Sequence, residues 1–204
     1  MILFFGDSIT EGSTCDCSFV DFLPPELDIR NLGVSGTTIG EYSIYPVDGH
    51  SFLRQISKYT SYIRDAEKIY LEYGANDVTA IMCGFATMKT VVISLVKAID
   101  WIRQINKHAE IIFLEFGSEN AIKMNSENMC HYLHNVYFSA FNFKFSSKIY
   151  TETYKEFIDN VKKVCHNVKC MFTDEMVENM SNYVSSDKIH PNRDGHKLIA
   201  KNIM

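Results

Sequence analysis

Met1-Ile2-Leu3-Phe4-Phe5-Gly6-Asp7-Ser8-Ile9-Thr10-Glu11 is an apolar run that ends at a glycine, an aspartate and a serine. Apolar residues without alternation fit a strand covered on both faces, and Gly6-Asp7-Ser8 then places a hydroxyl where the strand stops and the chain turns. Strand-like runs recur at 27–32, 67–73, 110–116 and 168–173, again near-continuously apolar in Ile69-Tyr70-Leu71 and Ile111-Ile112-Phe113-Leu114. Helical patterns separate them. That alternation predicts an α/β fold with parallel strands joined by helical crossovers.

Two of the intervening helices are legible from period. Phe85, Met88, Val92, Leu95, Ile99 and Ile102 recur at three- and four-residue intervals opposite Lys89, Lys97, Arg103 and Lys107, which predicts an amphipathic helix with Phe85 in its apolar stripe. Tyr150, Tyr154, Phe157, Ile158, Val161 and Val164 make a second stripe, with Lys162-Lys163 on its solvated side. Pro191 loses no amide hydrogen at a helix start, so a terminal helix carrying Leu198, Ile199 and Ile203 is expected to begin just after His190. The least regular stretch is 117–149, where Tyr132, Tyr137, Phe138, Phe141, Phe143 and Phe145 crowd together. It reads as core or subunit interface, with a substrate-facing wall or flap as the alternative.

The chain has 204 residues, 46% hydrophobic and 22% charged, enough for one full core and too few for two ordinary domains with a linker. We expect one domain over 1–204. A net charge of -5 without a basic run gives no reason to expect a nucleic-acid partner or an anionic membrane. Met1-Ile2-Leu3-Phe4-Phe5 has neither a basic leader nor a cleavage signal, and no stretch is apolar for long enough to insert in a membrane. A cytoplasmic protein is expected, or a secreted one if a leader precedes this chain. Cys15, Cys17, Cys83, Cys130, Cys165 and Cys170 lack paired CxxC spacings, so reduced thiols are expected and no metal is implied. Cys15-Asp16-Cys17 and Cys130-His131 are the two places where a metal would otherwise be sought.

A serine hydroxyl needs a base within hydrogen-bond reach, and that base needs an acceptor to fix its tautomer. Of seven histidines, His190 alone has an aspartate three residues before it and a proline after it, in Asp187-Lys188-Ile189-His190-Pro191. On one turn that spacing lets the Asp187 carboxylate reach Nδ1–H and leaves Nε2 to take the Ser8 proton. An oxyanion formed on attack would need donors. Candidates are the Ser8 amide, a glycine amide from Asn31-Leu32-Gly33-Val34-Ser35-Gly36, and the Asn76 side chain in Gly74-Ala75-Asn76-Asp77 at the end of the third strand. Taken singly, the glycines read as turns and Asn76 as a helix cap.

Together, Gly6-Asp7-Ser8, Gly36, Gly74-Ala75-Asn76-Asp77 and Asp187-Lys188-Ile189-His190 resemble, in order and spacing, the four blocks of the SGNH hydrolase (GDSL esterase/lipase) family. The resemblance spans nearly the whole chain. It implies a flavodoxin-like three-layer α/β/α sandwich with a five-stranded parallel sheet in the order 2-1-3-4-5. It further implies Ser8 as nucleophile, His190 as base, Asp187 orienting the histidine, Ser8, Gly36 and Asn76 as the oxyanion hole, and Asp7 supporting the turn. Gly36 rather than Gly33 fits the pattern, which leaves Gly33 as a turn residue. No cofactor is implied.

The expected reaction is hydrolysis of an acyl ester through an acyl-serine intermediate. Little chain is left over for a lid, so an open site for short acyl groups is expected, with acetyl esters of a carbohydrate as first choice. A lysophospholipase or thioesterase is the alternative. A phosphate-cradling module is disfavoured because Asp7 would repel the ligand and neither G-x-G-x-x-G nor a Walker sequence occurs. A catalytically silent binding protein of the same fold would have no use for intact Ser8, Asp187 and His190.

Overall fold

A computed structural model describes residues 1–42, 50–117, 119–136 and 146–204. Five strands, β1 (Ile2–Gly6), β2 (Ile29–Gly33), β3 (Lys68–Glu72), β4 (Glu110–Gly117) and β5 (Val168–Phe172), form one parallel sheet in the order β2-β1-β3-β4-β5. The expected strands and their order are therefore observed, with ends shifted by at most two residues. Register places Phe4 beside Tyr70 and Ile112, and Phe5 beside Leu71 and Phe113. Because side chains alternate across a strand, the first row faces one helical layer and the second faces the other.

On the first face Phe4 stacks on Tyr70 at 4.4 Å and meets Phe19 edge-on at 5.6 Å. The turn at Phe19–Phe22 and helix α9 (Arg193–Ile203) pack together there. On the second face α3 (Thr60–Asp65), α5 (Met88–Ile105) and α7 (Ser147–Val164) pack side by side, and Phe113 meets Phe157 at 5.9 Å. This division follows from chain direction. Right-handed crossovers leaving β1 toward β2 and leaving β3 toward β4 must pass on opposite faces. The strand order therefore reverses between β1 and β3, and a crevice opens at their carboxyl ends, where open α/β sheets bind ligands.

The helix readings hold with two corrections. Helix α5 buries Val91, Leu95, Ala98 and Ile102, but Phe85 lies outside it and is 60% exposed. The apolar period runs through Phe85, yet Thr87 caps the helix, its hydroxyl accepting from Thr90 N–H at 3.2 Å; a cap overrides phase. Helix α9 starts at Arg193 rather than just after His190, because Asn192 accepts from the Asp194 and Gly195 amides at 3.0 Å and is the cap. Helix α7 buries Tyr150, Tyr154, Phe157, Ile158 and Val161, with Lys162 and Lys163 exposed. Of the irregular stretch, α6 (Glu119–Val136) is helical, while Tyr137, Phe138, Phe141, Phe143 and Phe145 lie outside the described residues. No described helix is long and apolar enough to cross a membrane.

Candidate active site

Strands β1, β2 and β3 each deliver one segment to the crevice. After β1, Ser8 is the first residue of the short helix α1 (Ser8–Glu11), capped by Asp7, whose Oδ1 accepts from Ile9 N–H at 3.1 Å. A first-turn amide has no partner within its own helix, so the Ser8 N–H stays available. After β2, the chain turns at Gly36, whose φ of 73° is in the left-handed region that an L side chain resists. No described residue accepts from the Gly36 amide. Gly33 is not the turn residue expected: it ends β2, and a Cβ there would run into the backbone of Thr10 and Glu11. Glycine at that position lets α1 lie against the sheet.

After β3 comes α4 (Ala75–Met82), with Asn76 in its first turn. Asn76 neither ends the strand nor caps the helix, since the cap position is Gly74. Its Nδ2 instead donates to Asp7 Oδ2 at 3.0 Å and to the Thr37 carbonyl at 3.2 Å, tying the three strand ends together.

The fourth segment arrives from the far end of the chain. His190 Nε2 lies 2.8 Å from Ser8 Oγ, and His190 Nδ1 lies 2.6 Å from Asp187 Oδ2. Both distances fit strong hydrogen bonds. The loop that makes this possible is built around Asp187, whose Oδ1 accepts from the Ile189 and His190 amides at 2.9 and 3.0 Å. One carboxylate oxygen thus shapes the backbone while the other holds the ring. Lys188 takes a φ of 62°, uncommon for a residue with a side chain, and Ser185 N–H closes the loop on the His190 carbonyl at 2.8 Å. Burial alone would raise the Asp187 carboxyl, but the bonds from the His190 ring and the two amides outweigh it and hold it below the usual carboxylate range. An ionised Asp187 accepts Nδ1–H, which leaves Nε2 as the nitrogen able to take the serine proton.

Two buried carboxyls behind the crevice were not singled out from sequence. Glu72, 2% exposed, accepts from Thr10 Oγ1 at 3.0 Å and from Asp7 N–H at 3.3 Å. Burial first, and then the Asp7 charge, raise Glu72 well above the usual range. Burial raises Asp7 too, against donors from Ile9 and Glu72 that favour its charge. Of the two, Glu72 is raised the further, because Asp7 collects the stronger set of donors. Asp77, fully buried, accepts from Ile39 N–H at 2.9 Å and Tyr42 O–H at 2.7 Å, while its Oδ2 has no described partner. Burial pushes it up to about 7. It anchors the segment that follows Gly36. A charge closing the apolar run of β3 was the available signal for Glu72; Asp77 could have been flagged by its place next to Asn76.

The family model for GDSL-like lipases and acylhydrolases matches residues 4–198. Among solved structures, a lipase from a goat rumen metagenome aligns with 99% of this chain and 94% of its own, at 12% identity and a TM-score of 0.65. An α/β hydrolase from the metagenome of Lake Arreo, Spain, covers 99% and 92% at 16% identity and a TM-score of 0.62. A variant acetyl xylan esterase from Geobacillus stearothermophilus covers 99% and 91% at 17% identity and a TM-score of 0.57. The chain has no significant match among curated proteins. These structural likenesses speak to the fold, and the family match spans all the segments that meet at Ser8: the chain belongs to the GDSL-like lipase/acylhydrolase family and is a carboxylic-ester hydrolase.

Proposed function

We propose that this single-domain enzyme hydrolyses short acyl esters, acetyl esters of carbohydrates first among them, through an acyl-Ser8 intermediate. The observation that carries the mechanism is the unbroken run of hydrogen bonds from Ser8 Oγ through His190 to Asp187. In this mechanism His190 Nε2 takes the Ser8 proton as Oγ adds to the ester carbonyl, and the ring charge is held by Asp187. The same proton passes to the departing alkoxide. His190 then deprotonates water, which attacks the acyl carbon and frees Ser8.

The oxyanion is received by the Ser8 and Gly36 amides. Asn76 contributes by sharing the hydrogen it gives to the Thr37 carbonyl, the longer of its two bonds. Each such donor is worth about 2.7–4 kcal/mol at the transition state. Asp7 keeps α1 capped so that Ser8 meets the ring.

The acetyl preference rests on the acetyl xylan esterases among proteins of this fold and on the small share of sequence available for a lid. Steady-state hydrolysis of p-nitrophenyl acetate, butyrate, octanoate and palmitate tests it, alongside acetate release from acetylated xylo-oligosaccharides. Specificity constants should fall as the acyl chain lengthens. A rise toward octanoate would replace this reading with the longer-chain lysophospholipase or thioesterase one.

A further inference from the structure

The segment between α1 and the Phe19–Phe22 turn takes no part in the chemistry above, yet it carries Cys15-Asp16-Cys17. The two sulfurs are in contact, Sγ to Sγ 2.9 Å. Cys15 is half-buried and Cys17 buried, and neither is in a disulfide. We propose that Cys15 and Cys17 are a modification site: a thiol pair that exchanges with low-molecular-weight disulfides and closes into an intrachain disulfide beside the Ser8 turn.

The order of attack follows from exposure. The accessible Cys15 thiolate attacks one sulfur of the small disulfide, forming a mixed disulfide and expelling one thiolate, which takes up a proton. The Cys17 thiol then gives its proton to solvent and its sulfur attacks Cys15 Sγ, expelling the second small thiolate, which takes up a proton. Two protein thiols are oxidised and one disulfide is reduced to two thiols, so atoms and electrons balance. Burial, and then the neighbouring Cys15, push the Cys17 thiol up to about 12, which keeps it from making the first attack; the second is carried by the contact of the two sulfurs, which makes it intramolecular. A ring closed over a single intervening residue is strained, and strained disulfides are the labile, reversible ones. A metal is a poorer occupant. The third donor nearby, Asp16 Oδ1, lies 3.4 Å from Arg193 Nη1 and already answers a cation.

The pair is wired to both halves of the site. The Gly12 and Ser13 amides that begin this segment donate to the Ser8 carbonyl at 3.0 and 3.1 Å, and Cys15 N–H donates to Gly12 O at 3.0 Å. Thr14 Oγ1 lies 3.3 Å from Ser185 Oγ, and Ser185 closes the loop that carries Asp187 and His190. Closing the disulfide therefore shifts the segment between nucleophile and base.

Oxidised glutathione applied to the folded protein tests this, read by peptide mass mapping. Wild type should give a peptide lighter by two hydrogen atoms joining Cys15 to Cys17, whatever adduct the exposed Cys170 takes, and revert with dithiothreitol. Cys17→Ser should stop at a glutathione adduct on Cys15. Free Cys15 and Cys17 after treatment, a persistent adduct on Cys15 of wild type, or pairing of either with another cysteine would overturn the proposal. Hydrogen exchange reads the wiring. Oxidation should alter exchange in residues 183–192 of wild type but not of Cys15→Ser, and an unaltered wild-type segment would refute it. Neither readout uses ester hydrolysis, so failure here and failure of the proposed mechanism are told apart.

Discussion

Replacing Asp77 by asparagine should flatten the dependence of stability on pH. Asp77 is fully buried, two donors meet its Oδ1, and its carboxyl is pushed from the ordinary 3.8 up to about 7 by burial. In the unfolded chain the proton leaves near the ordinary value; in the folded chain it stays until about pH 7. The folded state thus binds more protons across that window, and the stability this group lends, full below the lower value, is lost as pH rises through the upper one. At 1.36 kcal/mol for each unit, the loss is about 4 kcal/mol between the two values. Asparagine keeps the oxygen that Ile39 and Tyr42 bind but sets an amide where Oδ2 has no described partner, a pH-independent cost of about 1–3 kcal/mol. Urea unfolding of wild type and Asp77→Asn should show wild type the more stable near pH 4 and the variant the more stable near pH 7, a change of about 4 kcal/mol in their difference. Parallel curves would mean that Asp77 is ionised throughout, burial notwithstanding.

Asp187→Asn should leave the fold intact and lower kcat for p-nitrophenyl acetate roughly 10³–10⁴-fold with little change in KM, because an amide at Oδ2 no longer holds Nδ1–H. Glu72→Ala strands the Asp7 amide and the Thr10 hydroxyl and should cost about 2–5 kcal/mol in urea unfolding, whereas Glu72→Gln keeps a neutral acceptor and should cost under about 1 kcal/mol. Equal losses would indicate that Glu72 is charged. Gly36→Ala forces a side chain into φ 73° and should lower stability by about 1–2 kcal/mol and reduce kcat with KM held.

What the sequence made legible was whatever is written locally. Strands such as Ile69-Tyr70-Leu71 announce themselves because both faces are covered, and the alternation with helices leaves few topologies open. Ser8 was visible as a hydroxyl at a strand end, and Asp187 and His190 as a spacing fitted to one turn. The misses share a cause. Phe85 obeys the helical period, but the Thr87 cap that excludes it is a backbone event. Asn76, taken singly, reads as a cap because its partners, Asp7 and Thr37, are far away in the chain; only the pattern of the four segments together marks it as an oxyanion donor. Glu72 and Asp77 acquire meaning from burial, which depends on packing of segments that sequence does not place side by side. Gly33 reads as a turn until α1 is seen lying on it.

In the proposed mechanism Ser8 is a nucleophile activated by His190. Treatment with a fluorophosphonate followed by peptide mass mapping tests it in one step. A covalent phosphonate is expected on the Ser8 peptide of wild type, none on Ser8→Ala, and strongly slowed labelling in His190→Ala. Equal labelling of wild type and Ser8→Ala, or an unlabelled wild type that still hydrolyses p-nitrophenyl acetate, would contradict it.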